Sequence, residues 1–246
     1  MPSFPDNFGL VRVINLPDRT DRLREMKRQL KVLGTSFKDG QVELYSATRP
    51  TETCGFPNIG ARGCFLSHLA VLKDARQRRV GSLLVIEDDL EVFPADVPHL
   101  NRVLDRLAAE LWGILYLGHA IPPDPGAAPG LVPFRGDVQN AHFYAVNAPI
   151  FDRLIAYLEA CLVRPPGDPI GGPMHYDGAL TMFRAANPDV ITLISQPSLA
   201  AQRSSRSDIT FRQFEQYPVL REGMCLARLL KRALRSGRRR TNLATN

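Results

Sequence analysis

Gly81-Ser82-Leu83-Leu84-Val85-Ile86-Glu87-Asp88-Asp89 is the stretch on which the fold turns. Its apolar run does not alternate with polar residues, and a continuous run of this length suits a strand covered on both faces, as in a parallel sheet flanked by helices. The run stops abruptly at three adjacent carboxylates. Ligands of open α/β sheets bind beyond the carboxyl ends of the strands, so the same nine residues mark both a core strand and a candidate site.

Upstream, residues 10–16 form a short run rich in β-branched residues, followed by Pro17-Asp18 and by Leu23, Met26, Leu30 and Leu33 at helical spacing. Thr20 is the expected N-cap of that helix and Gly34 its expected C′ residue. A second strand near 41–47 would complete a βαβ unit with a right-handed crossover. A Gly/Pro loop over 50–63 leads to a helix over about 65–78, which feeds the 81–89 stretch. Downstream, Leu100, Val103, Leu104, Leu107, Ala108 and Leu111 predict an amphipathic helix, and a strand over 112–117 follows. Residues 118–136 carry five prolines and four glycines, which predicts a loop without regular structure and a candidate active-site flap. A strand over 142–146, a helix over 149–162 entered through Asn147, a short helix over 176–185 and a strand over 190–194 complete the pattern. Strands alternating with helices predict an α/β fold around a mostly parallel sheet.

The 246 residues carry a net charge of +6, and its placement matters more than its size. Residues 221–240 hold eight basic residues and one acid, so the remainder is close to neutral at −1. A nucleic-acid-binding domain would spread basic residues over a folded face, and none is expected here. Two units are therefore read: a domain over 1–215 and a basic amphipathic tail over 216–246. No apolar run approaches the roughly 20 residues that span a bilayer, and residues 1–9 lack a signal-peptide pattern, so a cytoplasmic protein is expected. The four cysteines show no metal-site or disulfide spacing and are read as free thiols, most of them buried.

Three carboxylates in a row repel one another, and an oxygen-ligated divalent cation, Mg²⁺ or Mn²⁺, is the simplest offset. A solvated acidic turn is the alternative, and the residues alone leave both open. Asn15, Arg19 and Arg22 lie just past the first predicted strand, where arginine suits a phosphate through its planar fork. Arg22 could equally be a solvated first-turn residue, Ser67 a plain helical hydroxyl, and His68 a satisfied buried imidazole. His99, His119 and His175 have no motif around them.

The segment GARGCFLSHLAVLK (60–73), followed at a short interval by LLVIEDDLE (83–91), closely resembles the central signature of glycosyltransferase family 25, the lipooligosaccharide and procollagen galactosyltransferases. VINLPDRTDR (13–22) is similar to that family's first strand and loop. His142-Phe-Tyr-Ala-Val resembles its H-A-Y strand, Asp177 its isolated acceptor-side aspartate, and QRSSRSDI (202–209) its Q…S-D-I segment. The family's Asp-Gly after the second strand is here Ala47-Thr48-Arg49.

The resemblance implies a GT-A fold and metal-dependent, inverting transfer of a sugar, galactose by the family pattern, from a nucleotide-diphosphate donor such as UDP-galactose. The acceptor would be an oligosaccharide or lipid-linked glycan of lipooligosaccharide or polysaccharide biosynthesis. It implies Asp89 and Asp88 as ligands of Mn²⁺ or Mg²⁺. Glu87 or Asp88 would meet ribose or sugar hydroxyls, with Asn15, Arg19, Arg22, Ser67, His68 and Asp208 on the donor. Asp177 would be the base that takes the acceptor's proton. The tail would meet an anionic membrane surface on the cytoplasmic face of the inner membrane. The alternatives are a peripheral membrane or nucleic-acid-binding protein working through the tail, and a nucleotidyltransferase, for which the chain lacks a Gly/Lys-rich phosphate loop.

Overall fold

The computed structural model describes residues 4–123, 126 and 128–203. Asp208, Cys225 and the basic tail lie outside the described residues. Strand β1 (Leu10–Asn15) leads through Arg19, the N-cap residue, into helix α1 (Thr20–Val32). Thr20 is thus the first helical residue and not the cap, and Arg19 makes no side-chain capping bond. The other end matches the sequence reading. Gly34, at φ 73°, donates its N–H to Lys31 O, and Thr35 N–H reaches Leu30 O. That paired closure needs a left-handed residue, which glycine adopts without strain.

Strand β2 (Val42–Ser46) pairs in parallel with β1, and β1 pairs in parallel with β3 (Ser82–Glu87). Between them α2 spans Ile59–Gln77, starting well before the expected residue 65. Gly60 and Gly63 read as loop residues in the sequence, but Asn58 caps the helix by accepting from Ala61 N–H at 2.8 Å. Gly63 is there for space: a Cβ would sit 2.6 Å from Thr48 O.

Beyond β4 (Leu90–Glu91), α3 (Val97–Leu107) presents Leu100, Val103, Leu104 and Leu107 to the core. Leu111, expected on that face, is 80% exposed because the helix has already ended to let the chain turn into β5 (Ile114–Gly118). The 118–136 stretch is not wholly irregular, since β6 (Gly130–Pro133) pairs at the sheet edge. Prolines suit such an edge, where half the backbone groups seek no partner. Then come β7 (Phe143–Asn147), α4 (Phe151–Val163), α5 (Tyr176–Ala186), β8 (Thr192–Gln196) and β9 (Ala201–Gln202).

Among the described residues the main sheet runs β2-β1-β3-β7-β5-β8-β6. Five of its seven strands point one way; β7 and β6 run against them. The mixed α/β architecture with a mostly parallel sheet is the expected one. Strand β3 sits centrally, with Leu83 and Val85 packed toward α2, α4 and α5, and Leu84 and Ile86 toward α1 and α3. All four are fully buried, which is why the run shows no alternation. Of the described thiols Cys161 is buried, Cys64 half-buried and Cys54 exposed, so burial is less general than expected. No helix among the described residues is long and apolar enough to cross a membrane.

Candidate active site

Parallel pairing of β1 with β3 in the register Ile14 to Glu87 brings the ends of both strands together. Asn15 therefore lies beside Asp88 and donates from Nδ2 to its Oδ2 at 2.7 Å. The first turn of α1 adds Arg22, which donates to Asp88 Oδ1 at 2.7 Å and lies 3.6 Å from Asp89 Oδ2. Asp88 and Asp89 are both buried. Arg19 turns elsewhere and forms a two-pronged pair with exposed Asp21, at 3.0 Å on each arm.

A two-stranded ribbon of β4 and β9 closes one side. Gln202 on it donates to Asp89 Oδ2 at 3.1 Å, and Arg203 donates to Asp88 O at 2.7 Å. Asp89 Oδ1 is buried and has no hydrogen-bond partner among the described residues. Burial, then Glu87, push the Asp89 carboxyl up to about 7, with Arg22 opposing. Burial, then Asp88 and Asp177, push Glu87 up to about 8. Among the described residues, burial and mutual repulsion outweigh the pull of Arg22 on these two carboxyls.

Helix α2 supplies Cys64 and His68 one turn apart. His68 Nε2 lies 3.1 Å from Glu87 Oε1 and Cys64 Sγ donates to the same oxygen at 3.9 Å. These three groups could also hold a metal ion, their ligand atoms lying within 4.8 Å of one another. Burial lowers His68 to about 3 and pushes the Cys64 thiol well up. Ser67 is fully buried, donating to Gly63 O at 2.7 Å and accepting from Thr48 N–H at 2.8 Å. It ties α2 to the loop after β2. Asp177, in the first turn of α5, accepts from Asn140 N–H at 3.3 Å and from Gly178 N–H at 2.8 Å. It follows Tyr176, whose ring stacks on His68 with centroids 4.2 Å apart, and its charge acts on Glu87, His68 and Cys64.

The structure thus gathers Asn15, Arg22, His68, Glu87, Asp88, Asp89 and Asp177. Arg19 pairs with Asp21 and Ser67 with the loop after β2, and Asp208 lies outside the described residues. Reasoning from the sequence missed Cys64, Tyr144, Tyr176, Gln202 and Arg203. Each stands within or next to a segment quoted above, and none carried a charge pattern of its own.

No family model matches the chain. It is 31% identical over 138 residues to procollagen galactosyltransferase 2 of Homo sapiens, covering 48% of this chain and 22% of that protein. The likeness is to glycosyltransferase family 25. Procollagen galactosyltransferase 1-B of Xenopus laevis is 32% identical over 136 residues, 46% of this chain and 21% of that one. Inactive glycosyltransferase 25 family member 3 of Homo sapiens is 26% identical over 147 residues, 52% and 25%. The matched stretches span a quarter or less of these family 25 proteins. Among solved structures, a glycosyltransferase involved in glycosylation of the major capsid of PBCV-1 superposes with a TM-score of 0.44 at 12% identity, over 80% of this chain and 94% of that one. Mannose-1-phosphate geranyltransferase from Thermus thermophilus gives 0.34 at 14% identity, over 79% and 75%.

Proposed function

We propose that this protein is a nucleotide-sugar-dependent glycosyltransferase that moves galactose, with inversion, to a saccharide acceptor. Relatives with galactosyltransferase names and with inactive ones both match, so the site has to carry the reading. The observation that does so is Asp89: a buried carboxylate with one oxygen unpartnered among the described residues, crowded by Glu87 and Asp88 at the end of β3.

A hard divalent cation such as Mn²⁺ or Mg²⁺ fits these residues. Asp89 would hold it through the unpartnered Oδ1, with Asp88 beside it. Bound there, it supplies positive charge against the diphosphate leaving group. Asp88 itself is oriented by Asn15 and Arg22, which take one oxygen each. Glu87 would meet a hydroxyl of the donor. In the transfer, the acceptor hydroxyl oxygen bonds to the anomeric carbon while the sugar–phosphate bond breaks and its electron pair leaves with the diphosphate. The hydroxyl proton passes to Asp177, whose side chain two backbone N–H donors orient.

The test is to incubate the protein with a panel of nucleotide sugars and Mn²⁺ and to record the nucleotide diphosphate released by slow hydrolysis. Release of UDP from UDP-galactose above the other donors supports the reading. No release from any donor, or synthesis of an intact nucleotide sugar, overturns it.

Lipooligosaccharide or polysaccharide biosynthesis at the cytoplasmic face of the inner membrane is part of the same proposal. Its support is the sequence of 221–240, where Leu226, Leu229, Leu230, Ala233 and Leu234 recur at helical spacing beside eight basic residues. Anionic headgroups attract such a segment by about 1 kcal/mol per basic residue. Truncation after Pro218 should leave donor hydrolysis intact and weaken sedimentation with anionic vesicles. Equal vesicle binding by the truncated chain would withdraw this placement.

A further inference from the structure

Behind Glu87 runs a buried chain of hydrogen bonds that the roles above do not use. Tyr176 Oη lies 2.8 Å from Tyr144 Oη, Tyr144 Oη lies 2.9 Å from His68 Nδ1, and His68 Nε2 lies 3.1 Å from Glu87 Oε1. The four residues come from α5, β7, α2 and β3. The His68 ring stacks on Tyr176 with centroids 4.2 Å apart and planes within 19°. All three rings are buried.

Counting protons gives the chain a direction. Burial holds His68 neutral, and a neutral imidazole has one N–H and one accepting nitrogen. Among the described residues Tyr176 Oη has no hydrogen-bond partner except Tyr144 Oη. Its proton is therefore donated to Tyr144, Tyr144 donates to Nδ1, and the remaining N–H, on Nε2, donates to Glu87. The opposite sense strands the Tyr176 proton in the core, a costly state. This tautomer and a metal ion held by Cys64, His68 and Glu87 exclude each other, since a protonated Nε2 has no lone pair to offer.

We propose that His68 is a positioning residue for Glu87: Tyr144 and Tyr176 fix it as the Nε2–H tautomer, whose N–H anchors Oε1 and leaves Oε2 to meet a donor hydroxyl. Among the described residues Oε2 has no protein partner. The donor contact rests on the glycosyltransferase reading; the tautomer does not.

Imidazole ¹⁵N NMR of the full chain decides the tautomer, and donor hydrolysis decides the role. The expected spectrum has the His68 proton on Nε2, with that preference lost in Tyr144→Phe. Tyr144→Phe should lower kcat about 10-fold, the scale at which orienting groups act, with KM changed less than about twofold. His68→Gln, whose amide can donate to Glu87, should keep more activity than His68→Leu, and adding Tyr144→Phe to it should cost nothing further. A proton on Nδ1, independent losses in the double variant, or a thiolate-to-Co²⁺ absorption band that Cys64→Ser abolishes would each overturn the proposal. If the parent protein hydrolyses no nucleotide sugar, the glycosyltransferase reading fails, while the NMR result still decides whether His68 is held as the Nε2–H tautomer.

Discussion

At Arg12, midway along β1, two arginines meet two carboxylates. Arg12 is buried and pairs with Glu43 on β2 and Asp74 on α2, while Arg78 closes the square at 2.7 Å to Glu43 and 3.0 Å to Asp74. At Asn15, the end of the same strand, Glu87, Asp88 and Asp89 crowd together, with Arg22 against Asp88 and Asp89 and Arg203 donating to Asp88 O among the described residues. In the first cluster the arginines hold both carboxyls below their ordinary range. In the second, burial and mutual repulsion push Glu87 and Asp89 up. The two clusters use the same side chains and differ in charge balance. A balanced cluster fastens the sheet to its helix, whereas the second is where the proposed function puts a cation.

The sharpest way to break this contrast is at Asp89. Asp89→Asn should lower turnover by roughly 10²–10³-fold, the scale of removing one electrostatic stabiliser of a transition state. Metal-dependent UDP binding should go with it, and thermal stability should stay level or rise because a repelling charge is gone. Full activity in that variant, or activity of the parent in excess EDTA, would return the cluster to a merely structural role. Asp177→Asn should lower turnover by about 10²-fold, the usual share of a general base, with donor affinity little changed. Loss of donor affinity with turnover preserved would instead make Asp177 a donor contact.

The balanced cluster should answer in stability and not in turnover. Arg12→Met removes a buried partner from Asp74 and Glu43 and should lower unfolding free energy by about 3 kcal/mol, read by urea denaturation. Turnover per folded molecule should be unchanged. A turnover defect without a stability defect would erase the distinction between the two clusters.

Much of this was legible because apolar runs and carboxylates leave marks that do not depend on partners. Leu83 to Ile86 announces a central strand from its own composition, and Glu87 to Asp89 announces the carboxylate cluster that ends it. The antiparallel insertion of β7 left no mark, since Phe143–Asn147 reads the same in either direction. The early start of α2 was hidden because Gly60 and Gly63 look like loop residues until Thr48 O is seen where a Cβ would be. Tyr144 and Tyr176 were invisible for a different reason. They lie 32 residues apart in apolar surroundings, and only the pairing of hydroxyls across α5 and β7 separates them from ordinary core aromatics.

The smallest expected effect is a pH profile, and its sign follows from the contrast. An acid whose folded pKa is raised binds its proton more tightly when folded, so stability falls as pH rises from the unfolded value to the folded one. For Asp89 that window runs from 3.8 to about 7, and for Glu87 from 4.5 to about 8. Asp74 and Glu43, whose values are lowered, act in reverse: their contribution is present above the ordinary carboxylate range and lost as pH falls through their folded values. Protein stripped by EDTA should therefore melt several degrees lower at pH 8 than at pH 5, at roughly 2–4 °C per kcal/mol for a chain of this size. Added Mn²⁺ should restore the melting point most at the higher pH, where the carboxylates are ionised and ligand binding stabilises the folded state. Asp89→Asn should flatten the descent, and Arg12→Met should leave its slope above pH 5 unchanged while lowering the whole curve. A descent equally steep in Asp89→Asn and in the parent would place the titrating groups elsewhere and remove the electrostatic basis for a cation at the end of β3.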